Sequence, residues 1–129
     1  MIEFLYCGHG TFASSLLESM KMLLPETKGV HVVDFNSEMD TTELQTRIRK
    51  VLESNKDKSV LVVNDIVGGA PFKLCAVESL DYPNVRVVAG LNLAALLEIY
   101  FIRDKDIDEV LEVAIKTSID SIDYFPKKD

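Results

Sequence analysis

Four short apolar runs recur along the chain, each followed by a stretch with three- and four-residue apolar spacing, and this alternation restricts the fold more than any other feature. IEFLYC at 2–7 reads as a strand. Phe12, Leu16, Met20 and Leu23 then mark one face of a helix that Pro25 and Gly29 end. VHVVDF at 30–35 is a second strand, and Asp40 with Glu43 forms a capping box before Leu44, Ile48, Val51 and Leu52. SVLVVND at 59–65 is continuous and β-branched, as a central strand is. GGAPFKLCAVESL at 68–80 becomes helical, with Pro71 suited to the first turn. NVRVVAG at 84–90 is the fourth strand, and Asn92 caps a helix through Leu96 and Phe101. Asp106 and Glu109 open a last helix, through Val110 and Ala114 and on toward Ile119. Such alternation predicts a doubly wound α/β fold, with a mainly parallel sheet, helices on both faces and right-handed crossovers. Residues 118–126 alternate apolar and polar side chains, so part of them fits an edge strand as well as a helix.

With 129 residues there is room for one domain, 1–129, and one core. Hydrophobic residues make up 47% and charged residues 27%, the balance of a soluble globule. A net charge of -7 argues against nucleic acid and against anionic membrane surfaces. It leaves open a phosphorylated partner, because backbone N–H groups can hold one phosphate in an acidic protein. Cys7 and Cys75 lie apart in apolar segments and read as buried thiols. The start MIEFLYCGHG has no basic flank, and no apolar run reaches about 18 residues, so a cytoplasmic protein without leader or membrane span is expected.

In parallel sheets ligands gather at the carboxyl ends of the strands. Those ends carry Gly8, His9, Gly10 and Thr11; then Asp34; then Asn64, Asp65, Gly68 and Gly69; then Gly90 and Asn92. If the first and third strands are neighbours, His9 and Asp65 meet. A carboxylate that accepts from Nδ1–H leaves Nε2 with an outward lone pair, as a nucleophile or a general base. Glycines on both sides let a phosphate approach the backbone, and the helix starting near Thr11 offers N–H groups and a favourable dipole. Each residue also has a plainer role. Asp65 can cap a helix, Gly68-Gly69 can be only a turn, and Asp34 can simply end its strand. His31, inside the second strand, reads as structural. Zinc is poorly supported by two histidines and scattered cysteines, so no metal and no cofactor are expected. GHGTFA lacks the dinucleotide glycine spacing, no Walker lysine follows a glycine loop, and no G-x-S-x-G elbow occurs.

Taken together, Gly8-His9-Gly10, MLLPE at 22–26, VVDF at 32–35, VVNDIVGGAPF at 62–72 and VVAGLN at 87–92 carry a family resemblance. The chain resembles the mannose-type enzyme IIA component of the bacterial phosphoenolpyruvate-dependent sugar phosphotransferase system, over nearly its whole length. The resemblance implies a sheet of central order 2-1-3-4 and a homodimer that exchanges a C-terminal edge strand. It makes His9 the carrier histidine and Asp65 its orienting carboxylate. Gly8, Gly10, Thr11, Gly68, Gly69 and Ala70 become the phosphate loops, with Asp34, Lys73 and Asn92 as candidate support. It implies phosphoryl transfer from the carrier protein HPr to His9, then to a IIB component on a separate chain, and indirectly to membrane IIC and IID components. Two positions depart from the family pattern: Ala70 stands where serine is frequent, and Lys73 where asparagine is frequent. Two other readings compete. One is a phosphotransfer or phosphatase enzyme acting on small molecules, which would need arginines or a second histidine around the phosphate. The other is a regulatory or structural relative, which would not need His9 as an acceptor.

Overall fold

The computed structural model describes residues 1–128. Its sheet holds four parallel strands, β1 (Glu3–His9), β2 (Val30–Phe35), β3 (Val60–Asn64) and β4 (Val85–Ala89), in the order β2-β1-β3-β4. The helices are α1 (Phe12–Leu23), α2 (Thr41–Ser54), α3 (Ala70–Ser79), α4 (Leu93–Tyr100) and α5 (Ile107–Asp120).

Period-two alternation along the central strands sorts the core into two layers. Phe4 and Tyr6 of β1, with Leu61 and Val63 of β3, pack against Met20, Leu96, Ile99, Val110 and Ala114, so α1, α4 and α5 cover that face. Leu5 and Cys7, with Val60 and Val62, face Leu44, Ile48, Leu52 and Cys75 of α2 and α3. All five residues of β3 are buried, as its unbroken β-branched run requires. Asp40 and Asn92 cap α2 and α4 by accepting from the N–H groups of Glu43 and Ala95. Asp106 does the same for α5. Both cysteines are free and buried, and His31 pairs with Glu3 at 3.1 Å.

Two boundaries differ from the sequence reading. The first strand runs on to His9, because Gly8 and His9 stay paired with Asp34 and Phe35 on β2. At the other end α5 continues through Asp120, and residues 121–128 form no strand in the single chain. The helical repeat Ile107, Val110, Ala114, Ser118 is buried, and this outweighs the two-residue alternation over 118–120.

An ion pair between a buried carboxylate and an exposed guanidinium joins α2 to α3. Glu78 is 1% exposed and takes two hydrogen bonds from Arg49, at 2.9 and 2.7 Å, and one from Gln45 at 2.7 Å. The Arg49 guanidinium holds the Glu78 carboxyl below the usual carboxylate range, against the opposing push of burial. A depressed carboxyl stabilises the fold above its unfolded-state pKa, near 4.3, and that contribution is lost as pH falls through the folded value. Glu78→Ala should therefore melt about 5 °C below wild type at pH 7. The gap should narrow as acid protonates Glu78 in the fold, which thermal melts at pH 7 and in acid would check. An equal gap at both would assign the loss to packing alone.

Candidate functional site

The site lies at the carboxyl edge of the sheet, where β1 and β3 end side by side. Their register pairs Cys7 with Asn64, so His9 and Asp65 emerge from adjacent strands. Asp65 Oδ2 accepts the backbone N–H of His9 at 3.0 Å and lies 2.7 Å from His9 Nδ1. Its Oδ1 accepts the N–H of Ile66 at 2.9 Å. Burial pushes the Asp65 carboxyl up, but the three hydrogen bonds, two of them from His9, outweigh it and hold the group below the ordinary aspartate range. An ionised Asp65 at neutral pH accepts from Nδ1–H and fixes that tautomer. Nε2 keeps its lone pair, and the ring remains 45% exposed.

Glycines make room for this pair. A side-chain carbon at Gly8 would stand 2.9 Å from Asp65 Cγ and run into the Phe12 ring. One at Gly69 would overlap His9 Cε1 and stand 3.0 Å from Nε2. Gly69 is the N-cap of α3, and among the described residues no side chain caps that helix. Pro71 at the helix start contributes no N–H, and Gly69 brings this helix start against the imidazole. Gly10 and Gly68 have φ of 59° and 93°, left-handed conformations that turn the two loops around the ring.

α1 behaves differently from the sequence expectation. Its Ser14 donates both its N–H, at 3.0 Å, and its hydroxyl, at 2.5 Å, to Asp34. Asp34 thus caps α1 across the loop and places a negative charge at that helix end. The Thr11 hydroxyl accepts from Ser15 at 3.1 Å, which leaves its own proton free to donate.

The remaining candidates divide. Ala70 opens α3 beside Gly69 and offers only its backbone. Lys73 is exposed on the next turn of α3, without an ion pair among the described residues. Asn92 is engaged elsewhere. Its Oδ1 caps α4, and its Nδ2 donates to Ser118 O at 3.2 Å and Ser121 Oγ at 2.8 Å, which fastens α4 to the end of α5. Both polar groups of the Asn92 side chain are therefore engaged in joining the two helices.

Two features had no role assigned in the sequence reading. Asn64, 1% exposed, donates to Cys7 O at 2.9 Å and so locks the strand residues that precede His9 and Asp65. The only signal for it was an amide at the end of an otherwise apolar strand. Phe35 and Met39 line an open groove of about 520 Å³ with His9, Gly10 and Thr11, and nothing in their spacing distinguished them from core residues. Among the described residues no group of three His, Cys, Asp or Glu could hold a metal ion, and no helix is long and apolar enough to cross a membrane.

The comparisons with known proteins agree with this geometry. A family model described as "PTS system fructose IIA component" matches residues 4–115. The chain is 31% identical over 117 residues to a "PTS system mannose-specific EIIAB component" of Escherichia coli strain K12, which covers 88% of this chain and 36% of that relative. It thus spans about a third of the length of that relative. It is 30% identical over 105 residues to a "PTS system fructose-specific EIIA component" of Bacillus subtilis, covering 81% of this chain and 72% of the relative. The solved structure of a phosphotransferase system component EIIA from Streptococcus agalactiae superposes with a TM-score of 0.89 at 26% identity, covering 97% and 98% of the two chains. The matched span contains both His9 and Asp65, and on this evidence the chain belongs to the phosphotransferase-system IIA family of the mannose and fructose type.

Proposed function

We propose that this chain is a phosphohistidine carrier in sugar uptake, accepting a phosphoryl group from phospho-HPr on His9 Nε2 and passing it to a IIB component. The observation that carries the reading is the 2.7 Å contact between Asp65 Oδ2 and His9 Nδ1. In the forward step the Nε2 lone pair attacks phosphorus, the N–P bond to the donor histidine breaks, and the donor imidazole leaves with the electron pair. His9 keeps its Nδ1 proton, so the phosphorylated ring is cationic, and the Asp65 carboxylate balances it. The amides at the start of α3 face the new anion. The second transfer reverses these roles, and IIC and IID components carry out the sugar's passage through the membrane.

The test is uptake with purified components. The chain, incubated with phosphoenolpyruvate, enzyme I and HPr, should gain one phosphoryl group that phosphorus NMR assigns to Nε2. A signal at Nδ1 would break the Asp65 argument. Absence of phosphohistidine, or release of phosphate from small esters without HPr, would favour the small-molecule enzyme.

A homodimer is the accompanying proposal. Among the described residues β4 pairs with β3 alone and its outer edge is open, and Ile119, Ile122, Tyr124 and Phe125 near the chain end are 61–95% exposed. A second copy whose 121–126 segment adds to that edge would cover both surfaces. Light scattering at micromolar concentration should give twice the chain mass; a single-chain mass would exclude the exchange.

A further inference from the structure

We infer that Lys73, one turn into α3, reaches the phosphoryl group carried on His9 and holds its oxygens with the ε-ammonium, as a further catalytic residue of the transfer. The inference rests on the carrier reading above. Phosphoryl transfer draws on the protein for position and for charge laid against the moving oxygens. Lys73 makes and breaks no covalent bond in it: the ammonium keeps its proton and donates N–H to an oxygen.

The backbone sets the reach. Gly69 lies against the imidazole, so that a side-chain carbon there would stand 3.0 Å from Nε2. Lys73 follows Gly69 by four residues, and its N–H donates to the Gly69 carbonyl at 3.1 Å, which stacks the two positions on one helix face. Side chains at that spacing start about 5–6 Å apart, and a helical side chain leans toward the N-terminus, over the turn before it. For Lys73 that turn is the one touching the ring. Glycine at position 69 leaves the path open, and the flexible four-carbon stem of lysine spans it. Pro71, Cys75 and Glu78 mark the packed side of α3, and Lys73 stands exposed, away from it.

Charge balance calls for such a group. The phosphorylated ring is cationic and Asp65 offsets it, which leaves the phosphoryl group itself, with about two negative charges, to be compensated. The surroundings are acidic: the chain carries a net -7, and the Asp34 carboxylate caps the neighbouring helix. At the start of α3, Pro71 supplies no N–H and Ala70 no hydroxyl. The four arginines are engaged elsewhere: Arg47 with Glu43, Arg49 with Glu78, Arg86 with Asp108, and Arg103 with the Lys28 carbonyl. Among the described residues Lys73 has no carboxylate partner, so its ammonium is available to an anion on His9.

The experiment measures the equilibrium constant for phosphoryl exchange between HPr and this chain, for wild type, Lys73→Met, Lys73→Gln and Lys73→Arg, with a thermal melt of each. That constant counts the separated proteins, so contacts made only in the complex cancel from it, and a shift reports on the phosphorylated chain itself. Lys73→Met, which keeps most of the stem, should move the balance toward phospho-HPr about fivefold at low salt and by less than about twofold near 1 M salt. Lys73→Arg should stay within about twofold of wild type. Lys73→Gln repeats the test if the methionine variant melts early. An unchanged constant in a folded Lys73→Met or Lys73→Gln, with wild-type uptake on His9 intact, overturns the role of Lys73 and leaves the carrier reading standing. A raised KM for phospho-HPr with an unchanged constant also overturns it, by assigning the lysine to the partner's surface. A shift of equal size at both salt levels overturns it by removing charge as the cause. A wild-type chain that takes no phosphoryl group on His9 removes both.

Discussion

His9→Ala should abolish phosphoryl uptake from phospho-HPr, by more than about 10⁴-fold, while melting within about 3 °C of wild type. The two halves of this expectation come from different parts of the structure. On the proposed mechanism the acceptor atom is Nε2 of this ring, which alanine removes. The only other histidine, His31, lies in β2 with its Nε2 held 3.1 Å from Glu3. The fold depends on His9 mainly through its backbone. Its N–H donates to Asp65 at 3.0 Å, and the next amide, Gly10 N–H, donates to Phe35 O at 2.8 Å. Alanine keeps both bonds and removes a half-exposed ring. Gel or mass analysis of the variant after incubation with phosphoenolpyruvate, enzyme I and HPr checks the first half, and a thermal melt the second. Uptake by a folded His9→Ala protein would mean that another residue carries the phosphoryl group. Loss of the fold would show that the imidazole itself is structural.

The sequence made the fold legible because its strands differ in kind. The unbroken VLVV of β3 and the burial of β1 on both its faces follow from apolar patterns that cannot be satisfied at a surface. His9 and Asp65 were legible for a different reason: each follows an apolar strand, and glycines flank the loops. Their contact depended on strand order, which patterning does not encode and which came from the family resemblance. Less legible were the roles that depend on long-range polar contacts. Asp34 caps α1 from β2, 20 residues on in the sequence from Ser14, and Asn92 reaches Ser118, 26 residues on. In each case the sequence shows a polar residue at a strand end, and only packing decides which N–H or carbonyl it meets. The two helix starts near His9 differ on the same account. α1 and α3 both begin after glycines, but a carboxylate from another strand reaches one, while Gly69 holds the other against the imidazole.

Asp65→Asn should slow phosphoryl transfer on the order of 10²-fold while leaving the acceptor in place, so that phosphohistidine still accumulates at long times. The carboxylate uses both oxygens as acceptors: Oδ2 for the His9 N–H and Nδ1–H, and Oδ1 for the Ile66 N–H. An amide has one acceptor and one donor group, so in either orientation an NH2 must face an N–H. If it faces His9, the imidazole favours the tautomer with its proton on Nε2, where the lone pair is needed. If it faces Ile66, the loop that carries Gly68 and Gly69 shifts from the ring. Either way the negative charge that balances the phosphorylated imidazole is gone. The depressed carboxyl adds a pH signature. Its stabilising contribution is fully present above the unfolded aspartate pKa, near 3.9, and is lost as pH falls through the lower folded value. The stability gap between wild type and Asp65→Asn should therefore be flat from about pH 5 upward and close in stronger acid. Single-turnover transfer from phospho-HPr, with urea titrations between pH 3 and pH 7, measures both. Equal transfer rates would remove Asp65 from the site, whereas a slow variant with no closing of the gap would show that the residue acts on the chemistry without its ionised form contributing to the fold.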